Sequence, residues 1–282
     1  MRNLFSRVAH YAVFAACFIL FLSVAIVTPC YSVNYLDGAH APKGPYFLTY
    51  PYWYGAQKLV GAHGDTVTND MGLNKYAVLL RPVYYGENYV VHTIIPVGGI
   101  NAEHPNSSAG GLGDIILGAG YFLPVKSIDI LPVLNVKFPS GYYSKHKSIN
   151  FGDGQFDLRP ELYFHKVIGK VSIDTAVKYW IRYKNPYISF TPGNEFYAEG
   201  VVVYELFKKF RVGPTVTFCY GANGTLDEKY YPDSAVTKLS IGGEMVYNLT
   251  RKAHLLLDVV PDVYAENSPK GLLVSGRFCY SF

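Results

Sequence analysis

The stretch QFDLRPELYFHKVIGKVSIDTAVKYWIRY, Gln155 to Tyr183, decides the fold. In its first half Phe156, Leu158, Pro160, Leu162 and Phe164 alternate with Gln155, Asp157, Arg159, Glu161, Tyr163 and His165. In its second half Val171, Ile173, Thr175, Val177, Tyr179, Ile181 and Tyr183 alternate with Ser172, Asp174, Ala176, Lys178, Trp180 and Arg182. Successive side chains of a strand point to opposite faces, so each half reads as a strand with one apolar and one charged face. The five residues from Lys166 to Lys170 join them as a tight hairpin.

Ten more segments carry the same period, beginning near Tyr46, Tyr76, Tyr89, Asp114, Ile128, Glu195, Arg211, Val236, Ala253 and Gly271. About twelve strands of roughly ten residues result, the length a tilted membrane strand needs, and the number is even, as in bacterial single-chain barrels. The connections alternate. Gly86 to Asn88, Pro124 to Ser127, Lys166 to Lys170, Lys208 to Phe210 and Asn248 to Lys252 are short. Gly55 to Asn74, Gly98 to Gly113, Pro139 to Gly154, Lys184 to Asn194 and Gly221 to Ala235 are long, and only Ala265 to Lys270 breaks the rhythm. Short turns at one end and long loops at the other are the pattern of an outer-membrane barrel.

Bilayer hydrocarbon offers no partner to an unpaired amide, so strands that span it must close into an edge-free barrel. The expected fold is an all-β, antiparallel, up-and-down transmembrane barrel over residues 45–282. Residues 33–44 precede it as an arm or a plug, with a disordered arm the simpler expectation. Residues 1–32 read as a cleaved signal peptide: Arg2 and Arg7 form a basic leader, and Tyr11 to Val27 is almost continuously apolar.

Composition agrees. The chain has 282 residues, 50% hydrophobic and only 16% charged, well below the roughly 25% of soluble domains. Aromatics also reach 16%, with 26 tyrosines. A mean hydropathy of +0.10 and a single long apolar run exclude a polytopic helical membrane protein. The formal charge of +4 falls to +2 once Arg2 and Arg7 leave, which gives no argument for nucleic acid.

The last strand is the sharpest local signal. Leu272, Val274, Gly276, Phe278, Tyr280 and Phe282 share one face, opposite Ser275, Arg277, Cys279 and Ser281, and the chain stops on an aromatic ring. Phe278, Tyr280 and Phe282 resemble the terminal signature of outer-membrane barrels, which implies the barrel-assembly machinery as a partner beside outer-membrane lipid. Tyr and Trp belong at the two membrane interfaces, ring in lipid and polar tip in water. Tyr50, Tyr52, Trp53 and Tyr54 are expected where strand one leaves the membrane, and Phe218 and Tyr220 where strand nine does.

The polar faces put Asp157, Arg159, Glu161, Asp174, Lys178, Arg182, Glu199, Glu205, Arg211, Lys238, Glu244, Asp258 and Arg277 in the lumen, with Asp262 beside them. A twelve-stranded cylinder is roughly 24 Å across its backbone and leaves at most ~10 Å between long side chains. This set serves either as a narrow filter for a small solute or as a salt-bridged filling. The mixture of signs argues against strong ion selectivity.

Catalysis finds little support. A lipid hydrolase needs a nucleophile and a base at the outer rim. His104 and His146 lie in long loops near Ser107, Ser144 and Ser148, while His92, His165 and His254 fall toward the periplasmic end. No catalytic residue, metal site or cofactor is assigned. Asp65, Asp70 and Gly152-Asp153-Gly154 read as turns, and Cys219 and Cys279 as free thiols too far apart to bridge. Pro82, Pro96, Pro132, Pro160, Pro214 and Pro261 fall inside strands, where each removes a ladder hydrogen bond.

Five stretches carry a family resemblance: GAHAPKGPYFLTYPYWY (Gly38 to Tyr54), LLRPVYY (Leu79 to Tyr85), GLGDIILGAGYFLP (Gly111 to Pro124), FGDGQFDLRPELYF (Phe151 to Phe164) and NEFYAEGVVVYEL (Asn194 to Leu206). They resemble the outer-membrane family named after the meta-pathway of phenol degradation. The resemblance implies a passive transporter of small hydrophobic or aromatic compounds in the bacterial outer membrane. A structural or host-facing barrel without transport, and an outer-membrane lipid hydrolase, are the other readings.

Overall fold

A computed structural model describes residues 33–282; the expected signal peptide lies outside them. Twelve strands form the wall: β1 (Gly44–Val60), β2 (Leu73–Tyr85), β3 (Tyr89–Ala102), β4 in two stretches (Ser107–Leu112 and Ile116–Tyr121), β5 (Asp129–Lys137), β6 (Asp157–Ile168), β7 (Val171–Arg182), β8 (Glu195–Phe207), β9 (Phe210–Gly221), β10 (Val236–Asn248), β11 (Ala253–Glu266) and β12 (Ser268–Ser281). Each pairs antiparallel with the next, and β12 pairs with β1 from Tyr46↔Ser281 to Val60↔Ser268. The barrel is closed, so no strand edge is left to lipid.

The faces follow the alternation. Outward aromatics form one girdle toward the long loops (Trp53, Tyr76, Tyr179, Phe196, Tyr220, Tyr264) and another toward the short turns (Tyr84, Tyr89, Tyr121, Tyr204, Tyr247, Tyr280). Val78, Leu134, Val177, Val202, Val216, Ile241 and Leu257 lie exposed between them. Such an apolar band flanked by amphipathic rings matches a bilayer in thickness and polarity.

Strand one departs from expectation. Only Trp53 of its aromatic run faces out; Tyr52 and Tyr54 are buried in the lumen, and Tyr50 packs partly buried against the same interior cluster. Both faces of this strand are aromatic, so ring content could not separate interface from lumen, whereas strand parity does.

Several connections are shorter than read, the first of them, expected over Gly55 to Asn74, because β1 runs on to Val60 and β2 starts at Leu73. β3 runs on to Ala102 and β4 starts at Ser107, leaving four residues where Gly98 to Gly113 was expected to be a loop. Here Gly98 pairs with Gly111 and Gly99 with Gly110. A Cβ on Gly110 would lie 3.0 Å from the Gly98 carbonyl oxygen across this pairing, so glycine is what lets these backbones approach. β11 and β12 are joined by Asn267 alone.

The in-strand prolines also find an account. In an antiparallel strand a residue directs its N–H and C=O to the same neighbour. The ladder is interrupted on one side of Pro82, Pro160, Pro214 and Pro261, in the β2–β3, β6–β7, β8–β9 and β10–β11 pairings. On the other side each keeps its partner: Phe47, Leu134, Gly243 and Leu272. All four rings are exposed on the outer face.

Candidate functional site

Ten of the thirteen predicted lumen residues are buried inside the barrel: Asp157, Arg159, Asp174, Lys178, Arg182, Glu199, Lys238, Glu244, Asp258 and Arg277. Glu161, Glu205 and Arg211 are half-buried. The hub is Asp157, 0% exposed, with Lys137 Nζ at 2.6 Å, Arg159 Nη2 at 3.0 Å and Arg182 Nε at 3.4 Å. Register makes this possible, since Asn135↔Arg159, Lys137↔Asp157 and Asp157↔Arg182 are cross-strand partners. Arg182 also pairs with Glu195, and the Arg159 guanidinium lies 3.8 Å over the Trp180 ring. Lys178 pairs with Glu199 at 2.7 Å rather than with its cross-strand neighbour Glu161, which accepts from Tyr163.

Asp153 is not a simple turn residue. It is buried, pairs with Lys137 and lies 3.7 Å from Arg182, while its N–H donates to Asp114 at 2.7 Å. The connection between β5 and β6 therefore folds inward, carrying Ile149, Phe151 and Asp153 into the barrel. Phe151 packs in one cluster with Tyr52, Leu73, Leu79 and Ile100. This loop narrows the long-loop side.

The N-terminal segment narrows the other side. The simpler expectation of a disordered arm does not match: Val33 to Gly38 runs within the lumen, held by acids on three strands. Asn34 Nδ2 donates to Glu244 at 3.0 Å and Asp258 at 2.7 Å, and the Tyr35 N–H donates to Glu244 at 3.1 Å. Asp37 pairs with Arg277 at 2.9 Å. The His40 N–H donates to Asp129 at 3.0 Å. Local periodicity could not show this, because the strand residues that hold the segment lie far away in sequence.

Between the two constrictions lies a cavity of about 180 Å³. One part of its lining is apolar or aromatic (Tyr52, Leu79, Ile94, Ile116, Phe151), and another is ionic (Lys137, Arg159, Lys178, Glu199). Arg81, His92 and Asn135 join that lining without belonging to the predicted set, since the alternation that marks lumen residues is weaker around them. A cavity of roughly 150 Å³ is enough to take up benzene, so the space suits a single-ring compound.

Other candidates disperse. His104 Nδ1 meets the Asp70 carbonyl at 2.9 Å, and His165 Nδ1 meets Asp174 at 2.9 Å. Among the described residues neither His104 nor His146 meets a serine hydroxyl through its ring, and no cluster of His, Cys, Asp or Glu could hold a metal. Cys219 and Cys279 are buried and form no disulfide. Phe278, Tyr280 and Phe282 are exposed on the outer face at the short-turn end, with Tyr280 edge-on to Phe282.

The model of the family described as "Putative MetA-pathway of phenol degradation" matches residues 54–278. Among solved structures, an outer membrane channel from Pseudomonas putida F1 aligns with a TM-score of 0.79 at 16% identity, covering 89% of this chain and 100% of that one. The translocator domain of the autotransporter NalP from Neisseria meningitidis aligns at 0.51 and 12% identity, over 86% and 90%. The NanC porin aligns at 0.50 and 12% identity, over 84% and 98%. At these identities the likeness concerns the fold. No curated protein matches the sequence.

Proposed function

Since the chain belongs to the family of the MetA-pathway of phenol degradation, we propose that it is a passive channel of the bacterial outer membrane for small hydrophobic or aromatic compounds. The observation that carries this reading is the closed barrel, apolar and girdled by aromatics outside, enclosing a cavity of about 180 Å³ with apolar and ionic walls. The apolar wall gives a ring a place to leave water, worth about 25 cal/mol per Å² buried. The ionic wall is already neutralised internally and so holds no passing ion tightly. Membership supports the same reading, as does the Pseudomonas putida relative, itself an outer membrane channel.

The relatives reported are a channel, a porin and a translocator domain rather than enzymes. No step of the reading requires catalysis. Outer-membrane lipid meets the exposed band, and the terminal Phe278, Tyr280 and Phe282 are the surface offered to the barrel-assembly machinery. The packing of Val33 to Gly38 into the lumen favours a second reading, a barrel that carries no flow.

Small neutral aromatics cross a phospholipid bilayer unaided, so the test needs a lipopolysaccharide-bearing outer leaflet. Intact cells expressing the barrel should accumulate labelled toluene or phenol several-fold faster than cells lacking it. Equal rates for every aromatic offered would overturn the channel reading in favour of the second.

A further inference from the structure

The lumen arginines are not equivalent. Arg159, Arg182, Arg211 and Arg277 each pair with a carboxylate. Among the described residues Arg81 has no carboxylate within 4.0 Å. Its Nη1 donates to the Tyr50 hydroxyl at 3.2 Å and its Nη2 lies 3.4 Å from His92 Nδ1; its buried Nε, like that of the other four arginines, makes no hydrogen bond.

This arrangement fixes the state of His92. A guanidinium only donates, so Nδ1 must accept and the ring proton sits on Nε2. That Nε2 is buried and also has no partner. Asn135 Oδ1 stands beside it and is likewise buried without a hydrogen bond of its own. The wall explains the juxtaposition: His92 pairs across with Gly118, and Gly118 with Asn135. A Cβ on Gly118 would lie 2.1 Å from Asn135 Oδ1 and 2.4 Å from His92 Nε2, so glycine is what makes room for both.

Two orphaned donors, one of them on a guanidinium with no carboxylate in contact, therefore line the cavity that Leu79 and Phe151 line with apolar surface. Buried donors without acceptors are costly, and a ligand that supplies the acceptor removes the cost. Charged acceptors fit a guanidinium best, because its N–H fork matches a planar carboxylate. We propose that Arg81 and His92, with Asn135 beside them, form a subsite for the anionic head of a small aromatic acid, whose ring rests against Phe151 and Leu79. The inference deepens the channel reading and rests on it only for flux; binding stands by itself.

Calorimetry on the detergent-solubilised full barrel at neutral pH tests binding with three probes. Benzoate should bind saturably, benzamide, its neutral isostere, at least about tenfold more weakly, and acetate, which lacks the ring, without measurable heat. Arg81→Gln should remove the tenfold advantage of benzoate and leave benzamide unchanged. If that variant fails to assemble, Asn135→Asp, which sets a carboxylate beside the subsite, should weaken benzoate alone. Benzoate binding no tighter than benzamide, or unaffected by both variants, overturns the proposal. Proteoliposomes then test flux with benzenesulfonate, an anion that does not cross lipid by itself. Arg81-dependent benzoate binding without any solute flux would sink the channel reading and leave the subsite standing; flux of neutral aromatics with no benzoate preference would do the reverse.

Discussion

At the residue scale most charges of the barrel interior are paired, and Asp157 alone meets three of the cations. Fully buried, it faces Lys137, Arg159 and Arg182 at once. Removing one partner of a buried ion pair leaves the other desolvated and unpaired, at a cost of about 3–5 kcal/mol. Asp157→Asn should therefore lower the urea midpoint of unfolding, and adding Lys137→Met should recover part of the loss because one stranded cation goes with it. A double-mutant cycle with strictly additive effects would contradict the hub. Gly118→Val is expected to act differently: its branches would meet the ends of His92 and Asn135 rather than backbone, so the barrel assembles while benzoate binding falls. Heat-modifiable migration and calorimetry separate the two outcomes. The charges of β6 and β7 were legible in the sequence because their strands alternate strictly. Lys137 and Asp153 were not: Asp153 lies in a loop whose inward fold is decided by partners on other strands.

Elements are legible to the extent that their signal is local. Period-two alternation reports a strand from within itself, which is why β6, β7 and β12 appear with the right faces. The glycine-rich ends of β3 and β4 carry low strand propensity and were read as loop, yet they pair because opposed glycines let the backbones approach. The N-terminal segment has no period at all, and its place is set by Glu244, Asp258 and Arg277, more than two hundred residues away. Since those contacts hold it in the lumen, deleting residues 34–41 of the exported chain should raise single-channel conductance several-fold in planar bilayers. Unchanged conductance would mean that the narrowest section lies at the inward loop around Phe151 instead. The last strand makes a separate claim. Phe282 is 70% exposed, so its ring adds little to the barrel's own packing, although its N–H donates to the Pro45 carbonyl at 3.1 Å. Phe282→Ser should consequently slow assembly in cells, read as loss of the heat-modifiable form, while the fraction that assembles unfolds at an unaltered temperature.

The whole molecule joins two solvents. Its outer surface satisfies lipid with aliphatics and interface aromatics, and closure of β12 on β1 leaves no free strand edge to hydrocarbon. Its inner surface must be polar enough for water at both mouths yet admit an apolar ring. Dividing the cavity wall into an apolar and an ionic part meets both demands, and that division was not legible, because each strand declares its own faces but not which neighbours it will share a cavity with. The same division sets the electrical behaviour. Selectivity arises where rings of one sign face a narrow path. Here Lys137, Arg159, Lys178, Arg182 and Arg277 are each matched by an acid, so a passing ion gains little in exchange for its hydration. Arg81 breaks the symmetry, with no carboxylate within 4.0 Å among the described residues. Small currents with a slight anion preference are therefore expected in a potassium chloride gradient, and Arg81→Gln should bring the reversal potential back to zero. Pronounced cation preference in the unmodified protein would contradict this account of the lumen, because it would require acids in the path that the pairing leaves uncompensated.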